Sequence, residues 1–251
     1  MDSEKTRRSH NWNQGVFPTW AKMLVAVAVV LLFSLIFFRV RSFEVSGNVR
    51  YTAEEVTEAS GITNGDILMA VNKTRTAGRL LTKLPYVEQV EIYKEMPGTV
   101  RFEIVECTAS LMAQSEYGTS WLMTDSGKLL EETEESQTGY PMLRGVSLSL
   151  PMAGGQAAFT DEEKGALAME LGQAVLETGL SAEVSEIDVS DMENVTLRYG
   201  NSLTVQLGDG SDGTYKLRYL AAVAGQLEAG RQGILDLSFS SGEQAVFHPL
   251  T

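Results

Sequence analysis

SFEVSGNVRYTAEEV, residues Ser42 to Val56, begins four residues after a long apolar run ends. Phe43 and Val45 alternate with Arg41, Glu44 and Ser46, the period of a half-buried strand. Gly47-Asn48 supplies a turn. Thr52-Ala53-Glu54-Glu55 is a capping box: the Thr52 hydroxyl can accept a backbone N–H three residues on while Glu55 reaches back. A strand, a turn and a capped helix ending at Gly61 are therefore predicted directly beside the apolar run.

Upstream, Trp20 to Phe38 reads WAKMLVAVAVVLLFSLIFF, with Lys22 as its one charge. At 1.5 Å per residue a helix here spans roughly 28 Å, enough for a hydrocarbon core. A buried core helix is the alternative, but such helices rarely run this long without a polar interruption. The following FRVRSFEV lacks the small-residue pair of a signal-peptidase site, so an uncleaved anchor is expected. Four basic residues before it (Lys5, Arg7, Arg8, Lys22) against three after it (Arg39, Arg41, Arg50) bias the N-terminus towards the cytoplasm by a narrow margin.

Downstream, a second helix is predicted from about Asn72 to Leu84, stopped by Pro85. Val90 and Ile92, then Val100, Phe102 and Ile104, alternate in two strands joined by Met96-Pro97-Gly98. The order is β-α-α-β-β.

The runs FEVSGNVRYTAEEV and LLTKLPYVEQVEIYKEMPGTVRFEIVE resemble the polypeptide-transport-associated (POTRA) domain of the FtsQ/DivIB bacterial division proteins. The resemblance rests on the anchor, the immediate F-x-V-x-G-N strand, L-P-x-V before the second strand, and the P-x-T-V hairpin followed by E-I-V-E. It implies a domain lying against the outer face of the cytoplasmic membrane.

The remaining chain is similar to the family's β domain. Trp121 to Leu130 reads as a hairpin turning at Asp125 to Gly127, and Tyr140 to Gly145 resembles the family's P-x-L-x-G step. A second capping box, Thr160 to Glu163, opens a helix closed by Gly179. Strands are predicted at about Val184–Val189, Val195–Tyr199 and Ser202–Leu207, a helix at Thr214–Glu228, and closing strands at Ile234–Phe239 and Gln244–Phe247.

The composition narrows the function classes. Met1 to Ser42 carries six Lys or Arg against two acids, and Phe43 to Thr251 fourteen against thirty-one. Such a surface repels phosphate backbones, so no nucleic-acid partner is expected. The lone Cys107 excludes an intrachain disulfide; it reads as a small strand residue, with pairing between chains left open.

No G-x-S-x-G, H-E-x-x-H or Cys-x-x-Cys occurs, and His10 and His248 are the only histidines. No catalytic, cofactor or metal residue is assigned. Gly208 to Gly213, GDGSDG, fits G-x-G-x-x-G between a strand and a helix, with Glu228 near the place of a ribose-binding acid. Its two carboxylates would repel a pyrophosphate, and the adjoining strands alternate like antiparallel ones. A calcium loop fails too, because Leu220 stands where a bidentate Glu is needed. A surface turn is expected.

The stretch Leu235 to Phe247, LDLSFSSGEQAVF, resembles the family's closing D-L-R-Y-x-S-G hairpin and terminal aromatic strand. In the family that strand is the edge to which an FtsB/DivIC-type partner adds its own, with an FtsL-type protein joined to it. By position, Phe239 takes the aromatic place, Ser241-Gly242 the turn, and Phe247 the terminal aromatic; Phe239, Ser241, Gly242, Ala245 and Phe247 are the candidate partner-binding residues. Ser238 replaces a common basic residue, so an ion pair there is in doubt. The alternative is that Phe239 and Phe247 pack in the core of a terminal strand.

The fold expected is α+β: tail 1–19, single transmembrane helix 20–38, POTRA domain 42–108, and a mixed/antiparallel β domain with flanking helices, 109–251. The implied role is a non-enzymatic, cofactor-free scaffold of the division machinery. It would be anchored in the cytoplasmic membrane at the septum with its C-terminus outside, bind FtsB/DivIC-type and FtsL-type partners, and act indirectly on the septal peptidoglycan synthase. The rival is an extracytoplasmic enzyme, sensor or glycan-binding protein that uses a POTRA module.

Overall fold

The computed structural model describes residues 19–134, 139–200, 202–224, 232–238 and 245–249. It opens with helix α1, Thr19–Phe37. Every residue from 22 to 33 is exposed, including Val25 at 64%, Val30 at 64% and Phe33 at 65%. Among the described residues no helix is long and apolar enough to cross a membrane; the side chains of residues 34–36 in α1 lie outside that description.

No free linker separates α1 from the first sheet. Phe38 accepts the Leu68 N–H, Val40 exchanges backbone hydrogen bonds with Gly65 and Asp66, and Arg41 N–H donates to Gly98. Strand β1, Ser42–Ser46, then pairs in parallel with β3, Thr99–Glu106, which pairs antiparallel with β2, Val87–Glu95. Gly47 ends β1 at φ +81, where a Cβ would stand 2.0 Å from the Ile104 carbonyl oxygen, so this position admits only glycine.

Helix α2, Ala53–Ser60, carries the expected capping box in full: the Glu55 N–H donates to Thr52 Oγ1 and the Thr52 N–H to Glu55 Oε2. Helix α3, Lys73–Lys83, is capped by the Asn72 side chain. Both helices close over the three-stranded sheet, burying Val56, Leu68, Leu80, Val100 and Phe102 completely. The observed order is that expected from the alternation and caps, with one further turn of 3-10 helix at Leu68–Ala70.

The second sheet contains nine strands. In chain order they are β4 Leu111–Ser115, β5 Ser120–Met123, β6 Leu129–Thr133, β7 Met142–Leu148, β8 Val184–Asp188, β9 Val195–Tyr199, β10 Leu203–Gly208, β11 Gly233–Asp236 and β12 Val246–Pro249. Their spatial order is β12-β11-β10-β9-β8-β7-β4-β5-β6. The sheet is mixed, with β4–β7, β7–β8 and β10–β11 parallel and the other pairs antiparallel. Helices α4, Glu162–Glu177, and α5, Gly213–Ala224, join parallel neighbours and pack together over the core of Leu111, Leu143, Leu171, Ile187, Val205, Leu217 and Leu220.

Three local readings shift. Helix α4 is capped by Asp161, whose carboxylate accepts the Lys164 N–H, because Thr160 instead donates through its hydroxyl and N–H to the Ser147 carbonyl. Strand β11 stops at Asp236, because that carboxylate accepts the Ser238 N–H and turns the chain out of the ladder. Strand β12 lies at Val246–Pro249, later than the predicted Gln244–Phe247.

Candidate partner-binding edge

A sheet edge exposes a row of unpaired backbone groups, so its side chains and neighbours decide whether another chain can add to it. The nine-stranded sheet has two. At one, β6 carries Glu131 and Glu132, followed by Glu134, and acidic side chains of this kind disfavour pairing with another strand. At the other, β12 pairs with β11 alone, Leu235 opposite Phe247 and Asp236 opposite Val246. No described strand lies beyond it.

Of the predicted contact residues, Phe239, Ser241 and Gly242 lie outside the described residues. Ala245 and Phe247 are half-buried and pack against the main core. The Phe247 ring lies over Gly233, close enough that a Cβ there would meet its Cε2 and Cζ at 2.5 Å. Phe247 is therefore an anchor that holds β12 to the sheet. The outward residues are Val246, 50% exposed, and His248, which the resemblance did not single out. The period of two was the available signal: once Phe247 faces in, its neighbours face out.

Beneath the edge, Leu235 and Leu237 are buried and the Leu237 N–H donates to the Gln206 carbonyl. The Ser238 hydroxyl and N–H both stabilise the Asp236 carboxylate and hold its pKa below the usual range, with His248 nearby adding to the effect. The turn leaving β11 is thus fixed by a charge-assisted contact.

The glycine-rich loop proves to be a packing device. The strands flanking it are not both antiparallel neighbours as expected: β10 and β11 are parallel and α5 crosses between them, the very connection a dinucleotide site uses. The glycines serve another purpose. A Cβ at Gly210 would stand 2.9 Å from Leu167, and one at Gly213 would stand 2.6 Å from Leu171, so α4 occupies the space over the loop. Hydrogen bonds from Ser211 hold the exposed Asp209 below its usual pKa, and buried Lys216 donates to the Leu207 carbonyl at 2.7 Å. Among the described residues no group of three or more His, Cys, Asp or Glu is placed to hold a metal.

The two sheets meet at a polar joint over an apolar cluster. Tyr86 Oη donates to Glu131 Oε1 at 2.7 Å, and Arg50 Nη2 lies 3.2 Å from both Glu131 oxygens with its guanidinium 3.8 Å above the Tyr86 ring. Burial, then the Glu131 carboxylate, pushes the Tyr86 phenol well above its ordinary pKa. Met112, Leu122, Leu130 and Met142 pack below. Cys107 is half-buried here with its thiol 3.3 Å from the Tyr86 carbonyl, and burial raises its pKa. An open cleft of about 750 Å³ runs along the joint, lined in part by Val49, Arg50, Val105, Glu131 and Tyr140.

Comparison with known proteins agrees with this architecture. Residues 38–106 match the family described as POTRA domain, FtsQ-type. The class is thus a POTRA domain that carries a sheet-rich C-terminal domain. Residues 111–238 match the family described as Cell division protein FtsQ/DivIB, C-terminal, which covers half of the chain, and the chain belongs to the FtsQ/DivIB family of cell-division proteins.

Relatives are similar over most of their length. Cell division protein FtsQ of Streptomyces collinus is 25% identical across 77% of this chain and 73% of its own. Cell division protein DivIB of Clostridium botulinum (strain Loch Maree / Type A3) is 22% identical across 86% and 84%. DivIB of Geobacillus kaustophilus (strain HTA426) is 26% identical across 94% and 87%.

Proposed function

We propose that this protein is a non-enzymatic, membrane-anchored scaffold of the bacterial division machinery. It captures an FtsB/DivIC-type partner, with an FtsL-type protein joined to it, by adding a partner strand to β12. Through them it regulates the septal peptidoglycan synthase. The observation that carries this reading is the β12 edge: it ends the nine-stranded sheet, is anchored by Phe247, and presents Val246 to solvent. Added strands gain affinity from backbone groups and register from alternate side chains.

The domain division in this proposal is a cytoplasmic tail 1–19, a membrane span 20–38, a POTRA domain 42–108 and a β domain 109–251. Support for the span comes from α1, whose apolar side chains are exposed on every side, an arrangement that is stable only when lipid or protein surrounds it. The chain then sits at the septum with its N-terminus cytoplasmic and its C-terminus outside.

Replacing Phe247 by Asp removes the anchor and places a charge against the core. Capture of a DivIC-type ectodomain should weaken and hydrogen exchange over residues 245–249 should rise while the rest of the sheet keeps its protection; unaltered capture would remove the edge assignment. The joint cleft supplies the one feature for the rival reading, a glycan-binding or hydrolytic protein. That reading requires the chain to bind or cleave purified peptidoglycan without any protein partner, and no binding at high protein concentration rejects it.

A further inference from the structure

A second cleft, of about 420 Å³, opens where the chain leaves α1. It is lined by three arginines, Arg39, Arg75 and Arg79, against one carboxylate, Asp66. Asp66 is already engaged, accepting the Thr63 N–H at 2.8 Å. Arg39, two residues past the end of α1, is held by donating to the Gly65 carbonyl at 2.7 Å. Arg75 and Arg79 project from adjacent turns of α3, and while the Arg75 backbone N–H donates to the Asn72 cap, neither guanidinium has an ion pair or hydrogen bond among the described residues. Arg79 lies over Gly61, where a Cβ would meet its Nη1 at 2.5 Å.

Two further features bear on the ligand. The chain from Phe43 onward is strongly acidic, so three arginines in one cleft stand against the field of their own domain. Ile67, which lines the cleft and bridges to Arg39, is 36% exposed, and Met69, two residues on, is 68% exposed, so apolar side chains adjoin the cationic cleft. Basic groups next to exposed apolar ones, at the end of an apolar helix, match the headgroup layer of a bilayer in both charge and depth.

We propose that this cleft binds the phosphate headgroup of an anionic phospholipid and so fixes the tilt of the first domain on the membrane. The proposal rests on the reading of α1 as a membrane span. Because Phe38, Val40 and Arg41 are hydrogen-bonded into the domain, a contact at the cleft orients the whole first sheet and α1 together.

The test uses the full chain carrying Cys107→Ser and Met69→Cys, labelled at position 69 with an environment-sensitive fluorophore. It is reconstituted into vesicles of phosphatidylcholine alone or mixed with phosphatidylglycerol. The expected result is a blue shift in the mixed vesicles that salt weakens and that R75Q/R79Q moves to a much higher phosphatidylglycerol fraction. Each basic group at an anionic surface is worth roughly fivefold, so the pair should shift the lipid titration by about 25-fold.

If the chain floats with the vesicles but position 69 never senses phosphatidylglycerol, or R75Q/R79Q leaves the shift intact, the lipid site is wrong and the span stands. If the chain does not float with either vesicle, the span itself fails and the proposal with it. If inorganic phosphate gives the same blue shift at position 69 in phosphatidylcholine vesicles, the cleft is a small-anion site and the lipid assignment is overturned.

Discussion

Replacing Gly233 by Ala should release the β12 edge while sparing the rest of the sheet. The added Cβ would stand 2.5 Å from Phe247 Cε2 and Cζ and 2.7 Å from the His248 carbonyl oxygen. Carbon atoms in contact sit at about 3.5–4.0 Å, so roughly 1 Å of separation must be found. The Phe247 ring can swing outward, but the His248 oxygen belongs to the paired backbone and retreats only by stretching the ladder between β11 and β12. Overpacking of this kind costs about 1–3 kcal/mol. Here the cost falls on a four-residue strand with one neighbour, so the edge yields before the core does.

If partner capture needs an ordered β12, that cost appears as an affinity about 5- to 150-fold weaker, at ~1.4 kcal/mol per tenfold. Titrating a DivIC-type ectodomain onto immobilised protein reads the affinity, and hydrogen exchange over residues 245–249 reads the strand. Wild-type affinity together with wild-type protection would refute the steric reasoning. Lost protection with unchanged affinity would refute the role of the edge.

Other expectations concern stability. Thr52→Ala removes one side of a complete capping box and should cost about 1 kcal/mol in urea unfolding, with Thr52→Ser recovering most of it. At the joint, a double-mutant cycle of Tyr86→Phe and Glu131→Gln should give a coupling of about 1 kcal/mol, because the hydrogen bond is charge-assisted but its carboxylate is 44% exposed. The Tyr86 phenol titrates higher in the folded state than in the unfolded chain. Its contribution is therefore complete below pH ~10 and lost as pH rises beyond that, so the coupling should vanish in alkaline solution.

The capping box was legible because both partners lie within one turn of the sequence, and the β2–β3 hairpin because its strands share a local turn. The parallel pairs β4–β7, β7–β8 and β10–β11 were not legible from the strands themselves: alternation has the same period in parallel and antiparallel neighbours, so only topology separates them. That gap weakened the reading of the glycine loop, whose true constraint is α4 packed over Gly210 and Gly213. Competing side-chain hydrogen bonds explain the shifted ends. Thr160 and Asp161 can each cap a helix, and Asp236 can extend a strand or turn it, with the choice set by neighbours distant in sequence. At the edge, Phe247 was named as a contact residue through the resemblance, but the direction of its ring depended on Gly233 across the ladder.

The division role itself is tested most directly by imaging an N-terminal fluorescent fusion, expressed at native level, in the bacterium that encodes the protein. A band at midcell in dividing cells is the expected result, and its loss in a Gly233→Ala strain would tie recruitment of the partners to the edge. An even rim around every cell, dividing or not, would contradict a division scaffold and mean that the same two folded domains serve another task at the membrane.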